Sequence, residues 1–246
     1  MDIRKHKRLN PQIWDENNLL KEPVCDLLML ITRSYLDSIR ELQKLDVDES
    51  DVKDVFVYGS CANYFYTRTS DIDVCILIDF ESVAKKNPTA VSNAHTFKLY
   101  FYNWAMTHRC KIYGRKTDIS IEDTKNFFYE NRYRSGPCFS AMHRKWIFEP
   151  IVVSDQEFKK IKAQARYVYR QVLRDFRRVK RAGFTMADAK KLYTDIYASK
   201  NATHHAHIEQ PVTYMYLAFR KIRSRGIIAK LRDRMVELES KHFVLK

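Results

Sequence analysis

Apolar positions along the chain switch between two periods, and each switch marks an element. Val24, Leu27, Leu28, Ile31, Tyr35, Ile39 and Leu42 recur at helical spacing just after Pro23. This predicts a helix opened by the proline, with that stripe as its core face. The acidic stretch Asp46-Val47-Asp48-Glu49-Ser50-Asp51 reads as a loop. Val55-Phe56-Val57-Tyr58 is then a short apolar run of the kind that makes a buried strand. Gly59-Ser60 breaks it, a polar stretch leads to Ser70-Asp71-Ile72-Asp73-Val74, and a second apolar run covers Cys75 to Ile78. Asn87-Pro88 turns the chain into a helix expected from about Thr89 to Thr107. Cys110 to Tyr113, the Gly114 turn and Thr117 to Ile121 read as paired strands.

Beyond Pro150 the pattern is almost entirely helical. From Gln156 to Gly183, Phe158, Ile161, Ala165, Val168, Val172, Phe176 and Val179 fall on one side. Gly183 ends this helix and Thr185 can cap the next, Met186 to Ser199. Glu209 to Ser224 and Ile227 to Lys241 read as two closing helices joined at Gly226, the first exposing Arg220, Lys221, Arg223 and Arg225. The expected organisation is an N-terminal arm (1–23, loose and basic over its first nine residues), a βα-rich core (24–150) and a basic helical C-terminal region (151–246). The fold class is α+β.

Charge changes this picture more than composition does. Forty-four Lys and Arg stand against thirty acids, a formal net charge of +14. Solubility does not need such an excess, which self-repels in the folded state, so a polyanion is the natural partner. The long helix concentrates the excess: Lys159, Lys160, Lys162, Arg166, Arg170, Arg174, Arg177, Arg178, Lys180 and Arg181 cover its polar faces with few acids among them. A solvated helix usually mixes both signs. Arg166, Arg170, Arg174 and Arg177 are therefore the leading nucleic-acid-binding candidates. Phe127, Phe128, Tyr129 and Tyr133, interleaved with Arg132 and Arg134, could stack bases, although a core edge with snorkelling arginines is the commoner use of such a cluster.

Five cysteines lie in apolar contexts without a CxxC, which reads as reduced thiols and neither a disulfide scaffold nor a zinc site. His204-His205-Ala206-His207 has no Cys or acid at ligand spacing and reads as a polar linker. No leader pattern and no apolar run long enough to span a membrane is visible, so a cytoplasmic protein is expected.

The chemistry concentrates in Val55 to Phe80. Two carboxylates two residues apart on a strand project from one face, because strand side chains alternate. Asp71 and Asp73 side by side raise each other's pKa, a cost that a divalent cation between them removes. Oxygen-only ligands favour Mg²⁺, which takes one or two carboxylates and keeps positions for water and phosphate. Gly59 permits a tight turn and close backbone approach, and Ser60 offers a hydroxyl and an N–H to an anion at a helix start. Displacement at phosphorus fits this combination. A third acid is then expected on a neighbouring strand, and Asp118 in Lys116-Thr117-Asp118-Ile119-Ser120-Ile121 is the candidate.

Gly59-Ser60, Asp71-x-Asp73 and a later isolated Asp118 together resemble the DNA polymerase β-like nucleotidyltransferase superfamily. The resemblance extends to a set of bacteriophage-encoded nucleotidyltransferases, whose Asn-Pro-x-x-Trp-Asp is matched by Asn10 to Asp15. Their Ser-Gly-x-x-Ser followed by a Trp is matched by Ser135-Gly136-Pro137-Cys138-Phe139-Ser140 and Trp146, with one extra residue. Their Leu-x-Phe-Lys-x-x-Arg-x-x-Gly is similar to Leu217 to Gly226. The family usually carries Glu at the third acidic position, where this chain has Asp118. The resemblance implies transfer of a nucleoside monophosphate from an NTP to a hydroxyl, with pyrophosphate release. It implies two Mg²⁺ ions, or Mn²⁺ in their place, held by Asp71, Asp73 and Asp118. Gly59, Ser60, Ser70, Arg68, Lys116, Ser135 and Gly136 would then contact the nucleotide. An RNA 3′ end, tRNA among the candidates, is the acceptor that the charge favours. Nucleotidylation of a protein or small molecule is the alternative within the same chemistry, and a catalytically silent nucleotide-binding or antitoxin-like module is the alternative outside it. A phage-encoded protein would work in the host cytoplasm.

Overall fold

A computed structural model describes residues 4–68, 70–88, 100, 104, 108, 110–127, 136–204 and 213–240. The chain divides into two compact units, one from Arg4 to Val152 and the other from Val153 onward.

The first unit is built on a six-stranded sheet. Helix α1 (Glu22–Gln43) begins with Pro23 in its first turn and ends at Lys44 in the left-handed region. Strand β1 (Val52–Tyr58) runs into a single 3₁₀ turn, Gly59–Ala62, and β2 (Ile72–Ile78) follows. Helix α2 (Phe80–Lys86) is capped by Asp79, whose carboxylate accepts from the Ser82 N–H. Strands β3 (Lys111–Ile112) and β4 (Arg115–Asp123) form a hairpin through Tyr113 and Gly114, both at positive φ. These are the backbone angles that a two-residue hairpin matched to strand twist requires. A short α3 (Thr124–Phe127), β5 (Cys138–Ser140) and β6 (Lys145–Phe148) complete the unit.

The strand order is β3-β4-β2-β1-β5-β6, with β2 and β4 parallel and the other pairs antiparallel. Alternation sorts β2 cleanly. Ile72, Val74, Ile76 and Ile78 join Val55, Val57, Ile121 and Phe139 in the main core against the α1 residues Val24, Leu28, Tyr35, Leu36 and Ile39. Cys75 and Leu77 point the other way, where they meet Phe56 and Cys138 in a smaller cluster. Asp73, two residues before Cys75, continues that second face.

Several expectations change in this unit. The α1 stripe ends one turn early, with Leu42 74% exposed and Ile39 the last buried member. The basic N-terminal segment is docked from His6 on: its N–H donates to the Tyr64 carbonyl, its ring stacks on Tyr66 at 3.9 Å, and Leu9 is buried. The acidic loop folds into a 3₁₀ turn, Glu49–Asp51, closed by a capping box between Asp48 and Asp51. The helix expected over Thr89 to Thr107 falls mostly outside the described residues, as do Phe128, Tyr129, Arg132, Tyr133 and Arg134.

The second unit is helical. Helix α4 (Asp155–Arg181) starts at Ser154, whose hydroxyl accepts from the Glu157 N–H. Helices α5 (Met186–His204), α6 (Tyr214–Ser224) and α7 (Ile227–Ser240) follow. Gly183 takes φ +85° after α4, and Thr185 caps α5 by accepting from the Asp188 N–H. Phe176, Val179, Ala189, Leu192, Ile196, Phe219, Ile222, Ile227 and Leu231 form the core. His204 is the last residue of α5, where a linker was expected, while His205, His207 and Glu209 lie outside the described residues. Arg220 and Lys221 are not free on the surface: both are half-buried, Arg220 over the Tyr216 ring and Lys221 over Tyr169 at 4.9 Å.

Candidate active site

The second face of the sheet carries a row of polar residues at the end where β2 begins. Tyr58 pairs with Asp73, and Asp73 pairs with Asp118 across the parallel β2–β4 ladder. Directly paired residues share a face, so the two carboxylates stand side by side on adjacent strands, about 5 Å apart in backbone spacing. The Asp118 carboxylate is exposed, with Lys116 Nζ at 3.6 Å. Asp71 lies one residue before β2, half-buried, so strand alternation does not by itself bring it beside Asp73.

Gly59 explains its own presence. It sits at φ +74°, and a Cβ built on it would fall 2.1 Å from Asp73 Oδ2. Any other residue would collide with the carboxylate, so glycine opens the space around Asp73. Ser60 follows in the 3₁₀ turn, which is four residues long and so shorter than the helix start expected there.

Beneath the acids, Tyr58 is held by Ser120. The Ser120 hydroxyl donates to the Val74 carbonyl at 3.2 Å, which leaves the Tyr58 hydroxyl, 3.4 Å away, to donate to Ser120. Burial, with smaller contributions from Asp73 and Asp118, pushes the Tyr58 phenol well above its ordinary range, so it stays neutral. Cys61 is fully buried, and its thiol is pushed up to about 12 by burial and then by Asp73. It is an inert thiol. All five cysteines are free.

Two supports were not legible in the sequence. The Trp14 indole N–H donates to the Cys61 carbonyl at 2.8 Å, inside the Gly59–Ala62 turn. Trp14 also stacks on Trp146 at 4.7 Å and meets Phe139 edge-on. The Asn10–Asp15 segment and Trp146 thus converge behind the glycine turn and brace it. Arg115 is the second support. Its Nη1 donates to the carbonyls of Thr67, Arg68 and Ser70 at 3.1–3.2 Å, while its Nε and Nη2 hold Gln12. One guanidinium therefore clasps the loop that delivers Asp71. Its only sequence signal is an arginine just after a Tyr-Gly turn.

The expected nucleotide contacts divide. Arg68 and Lys116 are exposed, while Ser70 is buried and its hydroxyl accepts from the Thr67 N–H at 2.8 Å. Ser70 therefore shapes the loop and does not face outward, against expectation. Gly136 precedes β5, with no atom within 4 Å of a Cβ built on it. Ser135 lies outside the described residues.

The donor set fits a hard divalent cation: two adjacent carboxylates and a glycine that leaves room beside one of them. Among the described residues no group of three or more His, Cys, Asp or Glu could by itself hold a metal ion.

Residues 33–136 match the family model described as "Nucleotidyltransferase domain". This part of the chain is similar to a nucleotidyltransferase domain. The match spans Gly59, Ser60, Asp71, Asp73 and Asp118 and stops before β5, and the fold is the nucleotidyltransferase α+β type followed by a helical region. No curated protein and no solved structure matches the chain. No described helix is long and apolar enough to cross a membrane.

The helical unit carries the second candidate surface. Arg166, Arg170, Arg174 and Arg177 fall on one stripe of α4 and are all exposed. Arg174 donates to Gln171 at 2.6 Å, and among the described residues none of the four has an acidic partner. Arg178, just outside the stripe, does pair with Asp175 at 3.3 Å. The basic residues of the last turn complement the helix dipole, but a dipole effect fades within one turn and does not account for the stripe.

Proposed function

We infer that the protein transfers a nucleoside monophosphate from an NTP to the 3′ hydroxyl of an RNA. The observation that carries this reading is the register of Asp73 with Asp118 on the face that Gly59 keeps open. Asp73 and Asp118, with Asp71 from the preceding loop, would hold the divalent ions. Bound there, the ions supply charge neutralisation of the phosphates and lower the pKa of the acceptor hydroxyl.

The chain's own residues supply position. The Gly59–Ser60 turn offers backbone N–H groups and the Ser60 hydroxyl to the β- and γ-phosphates, braced from behind by Trp14. Arg68 and Lys116 are the exposed cations near the acids that can neutralise the leaving pyrophosphate, and Gly136 and Ser135 add to the nucleotide contacts. Asp118 lies on the acceptor side, where its carboxylate can receive the hydroxyl proton as the oxygen attacks the α-phosphate. The unneutralised α4 stripe supports a polyanionic acceptor, since four arginines without acids hold phosphates at little desolvation cost.

The test incubates the full chain with an α-labelled NTP, Mg²⁺ and total RNA. Label in a band destroyed by ribonuclease and resistant to protease is the expected result. Label lost to protease and retained after ribonuclease would replace the RNA acceptor with a protein one.

A further inference from the structure

The β3–β4 hairpin contains a pairing that folding alone does not favour. Lys111 lies directly opposite Lys116 in the antiparallel register, and both are exposed. Like charges directly opposed across a strand pair destabilise it, and this pair spans a hairpin whose first strand is only two residues long. Lys116 leans toward Asp118, while Lys111 has no acidic partner among the described residues. Lysines do guard exposed sheet edges, and β3 is an edge strand. One lysine on β3 would serve that purpose; it does not explain the second one facing it.

The pair has a definite place. Residues 116 and 118 share a face by alternation, and Lys111 shares it by pairing with Lys116. Across the sheet the order on this face is therefore Lys111 on β3, Lys116 and Asp118 on β4, Asp73 on β2, and then Tyr58 and the Gly59 turn on β1. The cations and the glycine turn flank the carboxylates from opposite sides. An NTP whose phosphates lie on the Gly59 side leaves the β3 side for the other reactant.

We propose that Lys111 and Lys116 form a subsite for a backbone phosphate of the RNA acceptor, so that the acceptor enters over the β3 edge and the NTP over the β1 side. The proposal rests on the RNA-transfer reading and adds a direction to it. It narrows the role of Lys116, which under this assignment serves the acceptor phosphate and leaves pyrophosphate to Arg68. Tyr113, 51% exposed at the hairpin tip, stands beside this entry with a ring free to stack on a base.

The test uses the full-length protein with a short fluorescent single-stranded RNA and, separately, an NTP. For Lys111→Gln, the KM for RNA in the transfer reaction should rise about tenfold. The log–log salt slope of RNA binding should flatten by about 0.7, the value for one lost single-strand phosphate contact. NTP affinity should not change, and the melting temperature should hold or rise as the facing charges are relieved. Lys111→Arg should retain RNA affinity. A loss of NTP affinity in Lys111→Gln would move the pair to the triphosphate and overturn the proposal. Unchanged RNA and NTP affinities, with wild type still transferring to RNA, would reduce Lys111 to an edge guard and overturn it as well. Wild-type protein that labels no RNA would instead refute the RNA-transfer reading, and the acceptor assignment with it.

Discussion

The two units treat charge in opposite ways. In the sheet unit, several charged groups are fixed by named partners. Arg115 is spent on four residues around one loop, and Lys86 bridges Asp48 and Asp51 at 2.9 Å each. Asp73 has glycine room on one side and Asp118 on the other. In the helical unit, four arginines of one stripe stand without acids among the described residues. The lesson concerns tolerance. Chemistry at a phosphorus atom depends on placement to a fraction of an ångström, so its residues are over-determined by neighbours. Attraction of a polyanion depends on summed charge, which survives rotamer motion. Substitutions in the first unit should thus act through geometry, and those on α4 through ionic strength.

The largest effect should come from the acids. Asp73→Asn and Asp118→Asn should each lower the transfer rate by about 10³-fold, the scale of removing one preorganised charge-stabilising group. Without divalent cation, Asp118→Asn should leave stability unchanged or raise it by up to about 1 kcal/mol, because facing like charges are relieved. Rates from labelled-NTP transfer and denaturant titrations in chelator measure the two sides. A fall in stability matching the fall in rate would make these residues structural.

Gly59→Ala sharpens the claim that placement governs this unit. It keeps every functional group and adds only a methyl carbon, at φ +74° and against the Asp73 carboxylate. The left-handed backbone alone should cost about 1–2 kcal/mol. Displacing Asp73 should lower the transfer rate by roughly 10²-fold. Near-normal kinetics would mean that Asp73 can move without consequence.

Lys86→Met tests whether fixed charge also governs stability away from the acids. Asp51 is fully buried, and the substitution would strip one hydrogen bond from its carboxylate, which keeps the Ser82 hydroxyl and the Asp48 N–H. A loss of about 1–3 kcal/mol is expected at neutral pH, with transfer unaffected at permissive temperature. The pH dependence has a definite sign. The Ser50 hydroxyl and then Lys86 hold the Asp48 carboxyl well below its ordinary value of 3.8. The stabilisation is therefore complete above that value and lost as pH falls through the lowered one. Hydrogen bonds to Asp48 and then Asp51 push Lys86 up to about 12, so its share is present below 10.5 and lost as pH rises through about 12. The gap between wild type and Lys86→Met should narrow at both extremes, in melting curves taken across pH.

The smallest structural effect belongs to α4. Arg170→Glu with Arg174→Glu should leave the melting temperature within about 0.5 kcal/mol-equivalent of wild type, as for exposed surface positions. The salt slope of RNA binding should flatten by roughly 0.7 to 0.9 per lost contact. A large stability loss would show that the stripe packs within the folded unit, and the contrast between the units would fail.

Much of this was legible along the chain because it depends on local periodicity. The apolar runs on either side of Gly59-Ser60 and Asp71-x-Asp73 marked two strands, and an amphipathic pattern marked α1 and α4, since which face of an element is apolar is written in its own residues. The limits of that reading were also local. Leu42 continued a helical stripe beyond the point where anything covers it. Arg220 looked solvent-facing although Tyr216 lies one helical turn before it, and Lys221 did so because the Tyr169 ring beneath it comes from another helix. Ser70 looked like a ligand because its hydroxyl's turn toward Thr67 is a property of the folded loop.

Only the tertiary structure decided how distant segments meet. The sequence by itself named Asp73 and Asp118, but their pairing depends on the register of two parallel strands, set by how β2 and β4 bury their alternate residues against α1. The sequence placed a glycine at position 59, yet its reason is a carboxylate fourteen positions later that leaves no space for a Cβ. Along the sequence Trp14 appears only within the Asn10–Asp15 motif; that it braces the glycine turn through the Cys61 carbonyl follows from packing. Arg115 carried only the signal of an arginine after a Tyr-Gly turn, because its partners lie 45 to 103 residues away. Local sequence encodes which face is apolar and which residue types sit at a turn. Contacts across such separations exist only once burial of the common core has fixed the register.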